Sequence, residues 1–141
     1  MTADQLSLVG VVLPLFPVAY FFFSSLTFFL ATFRDPVVTR VLRGLFNTYL
    51  IGATACFTLG ALAFAAAGRL PVAAALAASA CIASLARPWF LHRIDTHIAA
   101  RDSGNQAAIP RLRRLHVTGI AYNAAFLLAL LTSIPHIVTA H

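Results

Sequence analysis

The chain contains no lysine and no glutamate, and only 10% of its 141 residues are charged. A soluble globular domain carries about 25%, so a water-soluble fold is excluded, and so is the charge-rich composition of a disordered chain. Cysteine is scarce: Cys56 and Cys81 both lie in apolar runs, which rules out a secreted disulfide scaffold. The sequence has no Gly-x-Ser-x-Gly, no phosphate-binding glycine loop, no His-Glu-x-x-His and no Cys-x-x-Cys-His. All four acids (Asp4, Asp35, Asp95 and Asp102) lie outside the apolar runs. A proton-driven pump normally needs an acid within a span, so that function is disfavoured as well.

What is present is apolar length. Hydrophobic residues make up 60% of the chain, and the mean hydropathy is +0.87. A helix crosses a bilayer with about 20 apolar residues, and four segments meet that test: 6–33, 45–67, 70–91 and 116–138. The first is far longer than the apolar core of a signal peptide and is expected to remain as a span. Pro14 and Pro17 are expected to kink it, whereas Pro71 falls in the first turn of the third span, where proline is tolerated.

The arginines flank these runs. Segment 34–44 carries Arg34, Arg40 and Arg43; segment 92–115 carries Arg93, Arg101, Arg111, Arg113 and Arg114; Arg87 lies near the adjoining end of the third span. Basic loops stay on the cytoplasmic side. The expected architecture is therefore an all-α, integral membrane, antiparallel four-helix bundle forming one domain over residues 1–141. Its loops 34–44 and 92–115 are cytoplasmic and both termini lie on the other side. The net charge of +6 is then read as contact with anionic headgroups, not with nucleic acid. The Ala- and Arg-rich composition without lysine suits the inner membrane of a GC-rich bacterium.

The third span is expected to continue as a helix to about Arg101, to turn at Ser103-Gly104-Asn105, and to give way to a fourth helix opened by Pro110. Gly52, Cys56 and Gly60 on the second span, and Ala74, Ala77, Ala78 and Cys81 on the third, are expected to pack those two helices closely around the Gly68-Arg69 turn. Such small-residue faces also suit a homo-oligomer or a subunit of a larger membrane complex.

Depth along the spans suggests a site. Ser24, Ser25, Thr27, Asn47, Thr48, Ser84 and Asn123 all fall in the cytoplasmic third of their helices. A polar pocket open to the cytoplasm is expected there, centred on His116 and Asn123, with Asn47 and Ser24 on its wall and Arg113 and Arg114 at its mouth. The protein is accordingly read as a non-enzymatic binding or accessory subunit. A second reading uses His92, Asp95 and His116 as a metal or axial haem site; His136 and His141 belong to the opposite end. Cofactor identity stays open between none, haem and metal. The run Phe21, Phe22, Phe23, followed by Phe28 and Phe29, suits lipid contact or a hydrophobic ligand surface.

Two resemblances attach to these motifs. Arg113-Arg114-Leu115-His116-x6-Asn123, with the long third loop, resembles the last span of small four-helix membrane proteins of unknown function related to transmembrane protein 205. That resemblance implies a polar pair, His116 and Asn123, on one helix face. It covers about a third of the chain, and Val117-Thr118-Gly119 stands where those proteins tend to have Gly-Leu-Ser. Arg40-x-x-Arg43-x3-Asn47 is similar to the membrane-associated glutathione and eicosanoid enzymes. It would imply a glutathione-type transferase, but Thr48, Tyr49 and Leu50 follow where those enzymes carry an acid.

Overall fold

The computed structural model describes residues 2–138, with the side chains at 133 and 135–138 outside that description. Four helices account for nearly all of it: α1 (Ala3–Leu26), α2 (Pro36–Ala66), α3 (Leu70–Asp102) and α4 (Ala108–Val138). All four are long and apolar enough to cross a membrane, the pattern of a multi-pass membrane protein.

Local chemistry sets their ends. At the start of α1, the Thr2 hydroxyl accepts from the Gln5 amide at 3.3 Å and the Gln5 side chain accepts from the Thr2 amide at 2.9 Å, a reciprocal cap. α1 tightens into a 3-10 turn at Thr27–Phe29. The Asp35 carboxylate then caps α2 by accepting from the Val37 amide at 2.7 Å, with Pro36 in the first turn. The segment expected as a loop over 34–44 is thus mostly helix, and the connection shortens to residues 30–35. Gly68 (φ 77°) and Gly104 (φ 92°) end α2 and α3 in the left-handed conformation. Arg69 and Asn105 each donate back to a carbonyl of the preceding turn, Phe64 at 2.9 Å and Ala100 at 3.0 Å, which closes both helix ends. The 92–115 segment is likewise mostly helical, and only 103–107 falls between α3 and α4.

The helices pack in the cyclic order α1, α2, α3, α4, with α4 returning to α1; of these neighbouring pairs, α3 and α4 touch least. Two apolar clusters fill the interior. One is built around Val18, Leu50, Phe57, Phe64 and Leu76, the other around Phe21, Phe33, Leu42, Phe46, Ile94 and Leu112. Tyr49 and Phe90 pack against both. Phe16, Leu30, Leu62 and Leu85 point outward, as side chains facing lipid would.

α2 and α3 form the most extensive pairing, as expected, and Gly60 faces Leu76 of α3, but the rest of the small-residue stripes are used differently. A Cβ on Gly60 would stand 2.8 Å from the Gly10 carbonyl oxygen and 3.2 Å from Pro14, and one on Gly52 would stand 3.6 Å from Pro17. The glycines of α2 therefore receive the prolines of α1. In the first half of α3 the buried residues are Ala73, Leu76, Ala80 and Ala83, while Ala74, Ala77, Ala78 and Cys81 are exposed.

Candidate functional site

A cavity of about 120 Å³ lies among the four helices, on the side where α3 and α4 part. Its wall is aromatic: Phe21 from α1, Phe46, Tyr49 and Phe57 from α2, Phe90 from α3, Tyr122 and Phe126 from α4. Phe46 stacks on Phe90 with centroids 5.3 Å apart, Phe57 meets Phe126 edge-on at 5.1 Å, and Phe21 lies 4.3 Å from Tyr49. The rings thus brace one another in the offset and edge arrangements that aromatic quadrupoles favour. The space exists because the remaining positions are small. Ser79, Ala83 and Ala86 line it from α3, and Gly119 brings α4 so close that a Cβ there would stand 2.7 Å from the Phe46 ring. No charged residue lines it. A second hollow of about 460 Å³ shares Ser79 and Phe126 with the first and runs on past Val72, Leu76 and Leu130.

The residues expected to form one polar pocket are divided among separate places. His116 is buried and surrounded by Phe28, Phe29 and Phe33, with ring centroids at 5.6, 5.8 and 5.8 Å. Its Nε2 is without a hydrogen-bond partner, and the ring also meets the backbone of Ser25. The Ser25 hydroxyl is buried and unpartnered too. Asn123, one face along α4, donates from Nδ2 to the Val18 carbonyl at 2.8 Å and leaves Oδ1 unpartnered. These groups lie in the seam between α1 and α4, sealed by phenyl rings.

Arg113 caps that seam. Its guanidinium donates to the carbonyls of Phe29 at 3.4 Å and Ala31 at 3.1 Å and lies 5.1 Å from the Phe33 ring, while Arg114 is exposed. Asn47 belongs to the α2–α3 seam, where it accepts from Arg87 Nε at 2.9 Å. Ser24, Thr27 and Thr48 line a groove between α1 and α2 together with Tyr20 and Val41. Ser84 is exposed.

The metal or haem set is not brought together. His92 is exposed, His116 is sealed in its phenyl cage, and Asp95 is held by both Nε and Nη2 of Arg43, the latter at 2.9 Å. No group of three metal-ligating side chains occurs among the described residues. The Arg40-x-x-Arg43-x3-Asn47 motif is likewise dispersed: Arg43 is engaged by Asp95, Asn47 by Arg87, and Arg40 is exposed. Cys56 and Cys81 are free thiols. The side chain of His136 and the whole of His141 lie outside the described residues.

The aromatic cavity was missed at the sequence level, although a periodic signal is there. Phe46, Tyr49, Leu50 and Phe57 on α2, Ser79, Ile82, Ala83, Ala86 and Phe90 on α3, and Gly119, Tyr122 and Phe126 on α4 each follow the three- and four-residue spacing of one helix face. No protein-family model, curated protein or solved structure matches the chain.

Proposed function

We propose that the protein is a membrane-embedded binding protein that holds an apolar small molecule, taken from the lipid phase, in the cavity between α3 and α4. One observation carries this reading: a ring-walled, uncharged chamber placed where two helices pack least. Ligand sites are mostly apolar and aromatic with a few polar groups, and this wall has Tyr49, Tyr122 and Ser79 as its polar members.

The proposed setting is a bacterial inner membrane, with the helices antiparallel and both termini outside. The pairings Arg43 with Asp95 and Asn47 with Arg87 support opposite directions for α2 and α3. The arginines near the α1–α2 and α3–α4 connections support a cytoplasmic face against anionic headgroups. Reading the chain as a non-enzymatic binding or accessory subunit also fits its lack of a recognised catalytic motif.

The test is extraction. Protein purified in mild detergent is stripped with organic solvent and the extract analysed by mass spectrometry. An apolar compound is expected at a fixed ratio to protein, and Ala86→Phe, which puts a ring into the cavity, is expected to lose it. Identical extracts from both proteins would overturn the reading.

A further inference from the structure

Resting on that binding reading, we infer that the cavity takes a quinone-type lipid: a planar, carbonyl-bearing ring on a hydrocarbon tail. Size is the first argument. An engineered apolar cavity of about 150 Å³ takes up benzene, so a chamber of about 120 Å³ is the scale of one small ring. A fused polycycle is too large for it. The adjoining hollow, which shares the wall residues Ser79 and Phe126 with the chamber, continues between α3 and α4 with an apolar wall. A ring in the first space and a tail in the second match this two-part shape.

Chemistry narrows the ring. Phenyl faces carry negative quadrupole charge, so a chamber of phenyl rings favours an electron-poor π system over a saturated one. Tyr49 from α2 and Tyr122 from α4 both line the chamber. Neither phenol makes a hydrogen bond to another described residue. Tyr49 is half-buried and Tyr122 is exposed at mid-helix, where a membrane-spanning bundle faces hydrocarbon, and a donor there without an acceptor is costly. Ring carbonyls would supply acceptors, whereas an alkyl chain would not. An anionic or zwitterionic headgroup finds no charged residue on this wall. The inference concerns binding alone and involves no electron transfer.

The single tryptophan provides the readout. Trp89 meets Phe90, a wall residue, with centroids 4.9 Å apart. Decylubiquinone, a benzoquinone with a ten-carbon tail, is titrated into the full chain in detergent while Trp89 fluorescence is followed, with 1-decanol as competitor. Quenching is expected to saturate at one quinone per chain, unaffected by 1-decanol. It is expected to weaken about fivefold to tenfold in Tyr122→Phe or Tyr49→Phe, the worth of one hydrogen bond, and to become linear and unsaturable in Ala86→Phe. Should Ala86→Phe fail to fold, Ile82→Trp, read by a melting-temperature shift on adding quinone, blocks the same space from an exposed lining position.

Saturable displacement of the quinone by 1-decanol, abolished in the blocked variant, would overturn the quinone assignment and leave the apolar-ligand reading standing. So would unchanged affinity in both tyrosine variants. No saturable binding of either compound, or full binding in the blocked variants, would overturn both.

Discussion

Asn123 on α4 reaches across the α1–α4 seam to the Val18 carbonyl and donates to it at 2.8 Å, with both residues fully buried. Polar bonds between membrane helices are worth about 0.6 kcal/mol on average and up to about 1.7. Asn123→Ala loses that bond and leaves a cavity, so a loss of about 2 kcal/mol is expected in reversible unfolding by denaturing detergent. Asn123→Leu, branched alike and without the unpartnered Oδ1, fills the space and is expected to cost less than Asn123→Ala.

Ser25 makes the opposite prediction. Its hydroxyl is buried with no acceptor or donor in reach, and an unsatisfied buried polar group costs about 1–3 kcal/mol. Ser25→Ala is expected to raise the unfolding midpoint. A fall would mean that the hydroxyl is satisfied by a partner in the folded protein.

Two arginines separate a strong ionic contact from a weak one. Arg101 is 7% exposed. It donates to the Phe33 carbonyl at 3.2 Å, the Thr39 hydroxyl at 2.7 Å and Asp102 at 2.7 Å, fastening the end of α3 to the α1–α2 connection. Arg101→Ala is expected to cost about 3 kcal/mol, and Arg101→Lys most of that, because an ammonium cannot reproduce the forked donors.

The side chains of the Arg43–Asp95 pair are 43% and 47% exposed. Asp95→Asn is expected to cost under about 1 kcal/mol, and the difference is expected to shrink in high salt. A melting series at two ionic strengths checks both numbers.

Within one stripe of α2, two glycines should respond differently. Gly60→Ala pushes a methyl into the Gly10 carbonyl and Pro14 and is expected to destabilise by about 1–3 kcal/mol. At Gly52 the added methyl meets Pro17 at an ordinary distance, so Gly52→Ala is expected to be neutral or stabilising by up to about 1 kcal/mol. Thermal unfolding of the two single variants distinguishes them.

Apolar run length marked all four helices, and glycine and asparagine marked the Gly68 and Gly104 turns. The start of α2 was misplaced because the arginines of 34–44 resemble a loop by charge, whereas Asp35-Pro36 is a helix-start signal. The polar pocket was misread for a geometric reason. Residue number gives a rough height along a span, but Ser24, Asn47 and Asn123 point into three different seams, and Asn123 meets Val18, well along α1 from Ser24. Rotation about each axis decides which side chains meet, and adjacent positions differ by about 100°. Ser24 and Ser25 illustrate this: one lines an open groove and its neighbour is sealed inside. His116 and Asn123, seven residues apart on a single helix, both lie in the α1–α4 seam.

The turn between α3 and α4 is exposed throughout, from Asp102 to Ala107, and the α4 side chains in the α1 seam are anchored without help from it. Cutting the backbone there need not therefore dismantle the bundle. Two separately translated pieces would keep Asn123 on Val18, Arg113 on the Phe29 and Ala31 carbonyls and Phe126 against Phe57 as contacts by which to find each other in the bilayer. The chain is in that sense a three-helix receptor with its own fourth helix as tethered partner.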